Sequence, residues 1–230
     1  MVFTTGLQAL LNLDKKFKKR RKRKDEEQIY EKTDSTLHSS YLSMQLCSCD
    51  STCSTETVQA EAATAKSSAK VLTKSFAKAL DKVIKTQKFT AKTTDKQKLQ
   101  KLFNYTKKAF GYKRYMGGIP SASGWDSKFA QEMLKTKAGS CYHDAAAFAY
   151  LARRATGLPV RICVGTSNAF NKTRWQNHGW VEIKVGNKWY TFDTNANRFS
   201  SLRKGKWFMQ KRNAMKGKVY KTQKTYNVNF

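Results

Sequence analysis

The sequence predicts an α+β domain in which helices come first along the chain and a small antiparallel sheet comes last. Two observations predict this order. Between residues 72 and 156, apolar residues recur at the three- and four-residue intervals of amphipathic helices. After residue 159, short runs alternate apolar with polar residues, as half-buried strands do. Helices and strands that are segregated along the chain are typical of the α+β class.

The first 69 residues are predicted to be a disordered region, basic at its start and then rich in Ser and Thr, because they show no sustained apolar period. The basic block at residues 15–24 suits a nuclear signal, a nucleic-acid arm or an anionic-lipid anchor. A solvated basic tail is the simpler interpretation and is favoured. Residues 70–230 are predicted to form the folded domain.

Three of the five cysteines, Cys47, Cys49 and Cys53, lie close together in this N-terminal region. They lack paired Cys-x-x-Cys spacing, and a fourth ligand such as His38 is not placed by any motif, so no metal site is predicted. An odd number of cysteines without regular spacing also argues against a disulfide scaffold.

The compartment stays open. Residues 60–62 read Ala-Glu-Ala, like the end of a secretory signal, with a basic block upstream but no apolar segment between them. This pattern keeps secretion or the cell envelope as alternatives to the cytoplasm. No apolar run approaches the length of a membrane span, so no transmembrane segment is expected.

Four helices are predicted in order. The first two carry apolar stripes, and the third is expected to be capped by Asp126, to run through Leu134 and to end before Gly139. The stripe residues are Leu72, Phe76, Leu80, Val83 and Ile84 in the first helix and Leu99, Leu102, Phe103, Thr106 and Phe110 in the second.

The fourth helix begins at Cys141, after the good N-cap residue Ser140, and stops at Gly157 before Pro159. A cysteine in the first turn meets unpaired N–H groups and the positive end of the helix dipole, which favour a thiolate. His143 lies elsewhere around this helix and is not predicted to be the base.

The strands follow. Residues 160–164 read as a buried strand that places Cys163 in the core, and residues 181–185, 186–188 and 189–192 read as strand, turn and strand. Antiparallel pairing would bring His178, at the start of the first strand of this hairpin, beside Asp193, at the end of the second. Residues 207–209 and 219–220 are predicted to be further strands.

Cys141, His178 and Asp193 therefore fit the logic of acyl transfer, in which a carboxylate orients an imidazole that serves a thiolate. Each residue also has an ordinary interpretation: a small buried cysteine, a structural histidine, and a turn aspartate. The three in register favour the catalytic interpretation.

The residues around these three carry a family resemblance. Gly-Ser-Cys opening a helix, His-Gly-Trp-Val-Glu opening a strand and Trp-Tyr-Thr-Phe-Asp closing the next resemble the transglutaminase-like superfamily over residues 98–200. The resemblance implies a papain-like core with the nucleophile helix packed on a small antiparallel sheet. It implies Cys141 as nucleophile, His178 as general base and acid, and Asp193 as the orienting residue, with no cofactor. It makes Trp125 the candidate oxyanion donor.

The charge points to the partners. Residues 71–230 hold 33 of the 45 basic residues and 7 of the 16 acidic ones, a net charge of +26. We expect a protein or peptide substrate, with acidic ones favoured, and an anionic cell-envelope polymer as another candidate partner. The alternatives are a non-catalytic transglutaminase-like module that binds anionic partners, and a nucleic-acid-binding protein. No recognised nucleic-acid motif is present, so specific readout is not expected.

Overall fold

The computed structural model describes residues 72–202 and 206–230, together with the backbone of residues 64–66. The basic block, the cluster of Cys47, Cys49 and Cys53, and the Ala-Glu-Ala step at 60–62 lie outside the described residues. The prediction of a domain boundary between residues 69 and 70 stays a prediction. Just before that boundary, β1 (Thr64–Lys66) pairs in parallel with the last strand, β8.

Two N-terminal helices form where the apolar stripes predict them. Helix α1 (Lys74–Thr86) begins after Thr73, whose side chain accepts from the backbone N–H of Phe76. Helix α2 (Asp95–Ala109) begins at a capping box between Thr94 and Gln97. Their stripes are buried, so both helices pack onto the core as amphipathic elements.

Helix α3 (Trp125–Thr136) corrects one prediction. Asp126 is not its cap, because the helix begins after Gly124, which adopts the left-handed conformation at φ 72°. Asp126 lies inside the first turn and is buried, and its Oδ2 accepts from the hydroxyl of Tyr150 at 3.0 Å. A buried hydrogen-bond partner, rather than the orphan N–H groups of the helix, decides the position of this carboxylate.

Helix α4 (Cys141–Thr156) is the central helix of the domain. It begins after Ser140 and ends at Gly157, whose φ of 68° is the left-handed stop that the sequence predicts. It packs against α1, α2 and α3 on one side and against the sheet on the other. Its alanines allow this close approach on several faces, and five of them are buried: Ala145, Ala146, Ala147, Ala149 and Ala152.

The main sheet has the order β1-β8-β4-β5-β6-β7, and the five strands from β8 to β7 are antiparallel to their neighbours. Those five strands are β4 (Val160–Ser167), β5 (Gln176–Val185), β6 (Lys188–Phe192), β7 (Gln210–Lys211) and β8 (Tyr220–Asn227). A second, two-stranded parallel sheet joins β2 (Gly111–Tyr112) to β3 (Ala138–Gly139). The predicted α+β architecture, with α4 packed on an antiparallel sheet, is confirmed.

The strand predictions hold except at one place. The buried strand around Cys163 and the hairpin of β5 and β6 form as expected, and β8 begins at Tyr220. Residues 207–209 are not a strand. They form a turn and bend before β7, and Trp207 is buried there as a core side chain. An apolar run of three residues carries no information that separates a strand from a packed loop.

Two short helices complete the domain. Helix α5 (Thr194–Phe199) follows Asp193 directly, and helix α6 (Arg212–Met215) lies between β7 and β8. Glu182 of β5 is buried and accepts from Arg161 of β4 and Arg212 of α6, which ties these three elements together. None of the helices in the described part of the chain combines the length and the apolar composition that a bilayer span requires.

Candidate active site

Cys141 is the first residue of α4 and is partly exposed. Ser140 caps the helix, and the following turn is tightened by His143, whose Nδ1 accepts from the backbone N–H of Ser140 at 3.4 Å. Gly139 is required here, because a Cβ on it would lie 2.5 Å from the Cβ of His143. The thiol therefore stands at the open, positive end of a helix that is otherwise buried.

His143 is engaged on the side of α4 that faces α3. Its ring stacks on Phe129 with centroids 4.0 Å apart, and its Nε2 donates to Glu132 at 3.2 Å. Burial lowers the pKa of His143, although Glu132 acts in the opposite direction. Both ring nitrogens have structural partners, in keeping with its exclusion as the base.

His178 and Asp193 meet at one end of the β5–β6 hairpin. Val181 pairs with Phe192 in the antiparallel ladder, so the residues just beyond that pair approach each other. The Nε2 of His178 donates to Oδ2 of Asp193 at 2.7 Å, and the two side chains are each 1% exposed. Asp193 also caps α5, because its Oδ1 accepts from the backbone N–H of Ala196 at 2.7 Å.

The pKa of His178 is strongly shifted by the groups around it. Burial alone would lower its pKa, but the charges of Asp193 and Cys141 and hydrogen bonds with both side chains outweigh burial and raise the pKa of His178 to about 10. Nε2 faces Asp193, which leaves Nδ1 as the ring nitrogen for Cys141. The structure thus brings together the three residues that the sequence singles out.

Tyr220 is a fourth polar partner that the sequence does not indicate. Its hydroxyl donates to Oδ2 of Asp193 at 2.7 Å, the same oxygen that accepts from His178. Its ring lies nearly parallel to those of His178 and Trp180. Tyr220 begins β8, 27 residues after Asp193, and no local pattern connects a strand-opening tyrosine to a carboxylate that far away.

Gly179 sets the distance between α4 and β5. A Cβ at this position would lie 2.7 Å from Cδ1 of Tyr142, the residue after Cys141. The ring of Tyr142 is itself buried, so it has no room to move aside. The glycine that follows His178 therefore lets α4 approach β5 closely.

A buried polar cluster links α4 to the helix after Asp193. Asp144, one turn after Cys141, accepts from Asn195 at 2.9 Å and from Arg198 at 3.0 Å. Arg198 also donates to the carbonyl of Phe110. Burial raises the pKa of Asp144 to about 6 against the opposing charge of Arg198. Sequence reasoning missed this cluster because its members lie 51 and 54 residues apart.

Trp125, the candidate oxyanion donor, lies at the start of α3 and is buried. Its ring packs edge-on against Phe129, Tyr142 and Tyr226, and its buried indole N–H has no hydrogen-bond acceptor among the residues that the structure describes. It therefore contacts the residue next to Cys141. Its role as an oxyanion donor stays a prediction.

Cys163 lies in the core, as predicted. It is fully buried in β4, and burial raises the pKa of its thiol well above the ordinary range. Within residues 72–202 and 206–230, no group of three His, Cys, Asp or Glu side chains is arranged to hold a metal ion.

A family model matches this part of the chain. The model is that of the transglutaminase-like superfamily, and it spans residues 84–194, from the end of α1 to the residue after Asp193. Residues 84–194 are thus similar to the transglutaminase-like superfamily. The resemblance drawn from the sequence motifs is thereby confirmed, and the match includes Cys141 and His178.

Solved structures similar to this chain share little sequence with it. A Cytophaga hutchinsonii protein assigned to the cysteine proteases is 18% identical, with 69% of this chain and 54% of that chain covered and a TM-score of 0.36. The periplasmic domain of TgpA from Pseudomonas aeruginosa is 20% identical, with coverages of 51% and 41% and a TM-score of 0.36. Arylamine N-acetyltransferase C from Bacillus anthracis is 16% identical, with coverages of 54% and 49% and a TM-score of 0.35.

The chain spans about half the length of these solved structures or less. Among curated proteins, none matches the chain.

Proposed function

We propose that this protein is a cysteine-dependent acyl-transfer enzyme that acts on a peptide or glutamine amide. Cys141 is the nucleophile, His178 the general acid and base, and Asp193 the carboxylate that orients His178. The observation that carries the proposal is the buried His178, held by Asp193 at 2.7 Å and close enough to Cys141 for that thiol to help raise the pKa of the imidazole. The superfamily match supports the same chemistry.

The proposed reaction has two halves. The Sγ thiolate of Cys141 attacks the carbonyl carbon of the amide, the C–N bond breaks, and the imidazolium of His178 gives its proton to the departing amine. A thioester remains on Cys141. In the second half, neutral His178 takes a proton from water while the water oxygen attacks the thioester, and the C–S bond breaks to release a carboxylic acid and restore the thiolate–imidazolium pair.

Alkylation of the thiol tests this assignment. The protein is treated with iodoacetamide at pH 6, and peptide mapping then measures the modification of each of the five cysteines. Cys141 is expected to be modified rapidly. His178→Ala should slow the modification of Cys141 by about 100-fold, because the imidazolium no longer stabilises the thiolate. Cys163 is the internal control, since a fully buried thiol reacts only on unfolding. A Cys141 that reacts no faster than Cys163 would refute the proposal.

We further propose that water, rather than an amine, takes the acyl group. A domain of net charge +26 repels the protonated lysine side chains that a protein cross-linking enzyme must recruit, whereas water needs no recruitment. An acidic glutamine-containing peptide, offered with a millimolar primary amine, should yield a deamidated or cleaved product by mass. A predominant amine adduct would overturn this preference and leave the nucleophile assignment standing.

The alternative is a non-catalytic transglutaminase-like module that binds anionic partners through its lysines. It predicts that Cys141 reacts slowly with iodoacetamide and that the protein binds a polyanion in a salt-sensitive way. The alkylation experiment separates it from the catalytic proposal.

A further inference from the structure

The exposed apolar side chains of this protein are grouped. Within residues 72–202 and 206–230, four large apolar side chains are exposed: Tyr112 (45%), Tyr115 (37%), Met116 (80%) and Phe199 (49%). We call these four residues the aromatic patch. Single exposed apolar residues are ordinary, but a group of them marks a binding surface.

Residues of the aromatic patch contact the residues that precede and follow Cys141 in the sequence. Tyr112 of β2 pairs with Gly139 of β3, two residues before Cys141, and the N–H of Lys113 donates to the carbonyl of Gly139 at 2.8 Å. Tyr115 packs edge-on against Tyr142, the residue after Cys141, with ring centroids 6.0 Å apart. The patch therefore flanks the exposed end of the nucleophile helix.

The remaining aromatic residue of the patch, Phe199, comes from the helix after Asp193. Phe199 ends α5, and its ring meets that of Tyr112 edge-on at 5.5 Å. The guanidinium of Arg198 lies 4.4 Å above the ring of Phe199 and is itself held by Asp144. Since Arg198 is anchored in a buried cluster, the ring of Phe199 is held in place before any ligand binds.

The charges around the patch are positive. Lys113 and Arg114 are exposed between Tyr112 and Tyr115. The acidic residue on the Tyr115 side, Glu132, is engaged by His143 and Lys128. On the Phe199 side, Asp144 is buried against Arg198. An acidic ligand therefore meets cations here, and the nearby carboxylates are already compensated.

We propose that the aromatic patch binds a large apolar or aromatic side chain that lies next to the reacting amide of an acidic peptide. The inference rests on the proposed role of Cys141 and names the substrate that this site selects. Aromatic rings pack well on an edge-to-face pair such as Tyr112 and Phe199, and the flanking cations suit acidic residues further along the same peptide.

The test uses acidic peptides that carry a chloroacetamide in place of the reacting amide, with either Phe or Ala beside it. The Cys141 thiolate displaces chloride and forms a C–S bond, so the second-order rate constant of alkylation reports recognition. The wild-type protein should prefer the Phe peptide by about tenfold. The preference should fall below about threefold in Tyr112→Ala and in Phe199→Ala, and either variant suffices if the other fails to fold.

Trp189→Ala is the matched control. Trp189 is a partly exposed aromatic residue on β6 that pairs with Arg161, as Phe199 pairs with Arg198, and its removal should keep the tenfold preference. A wild-type protein that reacts rapidly with iodoacetamide but equally with both peptides would overturn this inference alone, as would variants that keep the preference. Slow reaction of Cys141 with every reagent would overturn the proposed function and this inference together.

Discussion

Asp193 is shared by more partners than its role in hydrogen-bonding His178 requires. Its Oδ2 accepts from both His178 and Tyr220, and its Oδ1 caps α5. A carboxylate that accepts three hydrogen bonds is fixed in orientation, and it in turn fixes the imidazole. The Tyr220 hydroxyl also draws electron density from the oxygen that holds His178, so it should temper the basicity of that histidine.

Tyr220→Phe tests this tempering. Without the hydroxyl, Oδ2 serves His178 alone, so the pKa of His178 should rise and the basic limb of the pH–rate profile should move to higher pH. The variant should also lose about 1–2 kcal/mol of stability, as for a hydrogen bond to a charged group. Tyr150→Phe, which removes a comparable buried tyrosine–carboxylate bond to Asp126, should leave the basic limb in place. A basic limb that moves equally in both variants would contradict the prediction.

Gly179→Ala should separate geometry from chemistry at the site. The added Cβ would lie 2.7 Å from the buried ring of Tyr142, so α4 must shift away from β5 and carry Cys141 with it. Overpacking of this kind destabilises by about 1–3 kcal/mol. A displacement of about 1 Å between reacting groups lowers kcat by about 100-fold.

Gly118→Ala is the control for Gly179→Ala, because a Cβ at Gly118 meets no atom within 4 Å. It should leave both the melting temperature and kcat at their wild-type values. If Gly179→Ala melts lower but keeps full kcat, then Gly179 serves packing and not the spacing of the site.

At the scale of elements, the site is assembled by three packed units: the N-terminus of α4, the β5–β6 hairpin, and α5. The cluster of Asp144, Asn195 and Arg198 joins the first to the last. A raised carboxyl pKa means that folding favours the protonated form, so Asp144 contributes stability below the ordinary value of 3.8. That contribution is lost as the pH rises through about 6.

Asp144→Asn should therefore flatten one part of the pH–stability curve. The free energy of unfolding of the wild type, relative to the variant, should decline between pH 4 and pH 6.5 by up to about 3 kcal/mol, and should then level off. Urea unfolding at several pH values measures the difference. A constant difference across this window would show that the Arg198 ion pair, and not burial, controls the protonation of Asp144.

At the scale of the whole molecule, the acidic residues are paired with other residues of the same chain. All seven acids within residues 72–230 have one: six are in ion pairs, and Asp126 accepts from Tyr150. The 33 basic residues of this region far outnumber them, so the region carries a large positive net charge. Such a net charge recruits anionic ligands at low ionic strength.

Added salt should therefore weaken the binding of acidic substrates and leave the reactivity of the Cys141 thiol unchanged. Raising NaCl from about 20 mM to about 300 mM should lower kcat/KM for an acidic peptide by about tenfold, because the Debye length falls below the distances over which the field acts. The reaction of Cys141 with neutral iodoacetamide should barely change. Equal salt sensitivity of both reactions would contradict steering by charge.

Local sequence determined the parts of this protein that local physics controls. Apolar period and capping residues predict the helices, and Ser140 and Gly157 predict both ends of α4. The hairpin between His178 and Asp193 is a short-range element, 15 residues apart, so its pairing follows from strand alternation and one turn. The family motifs lie in these same local elements, which is why residues 84–194 are recognisable.

Only the tertiary structure decided the rest. Tyr220, the Asp144 cluster and the aromatic patch join residues far apart in sequence, and their partners depend on which faces the helices and strands turn toward one another. The same reason explains the two wrong predictions. Asp126 was set by a buried tyrosine instead of by a helix end, and residues 207–209 pack as a buried turn instead of pairing as a strand. Long-range packing chooses among local options that the sequence leaves nearly equal in free energy.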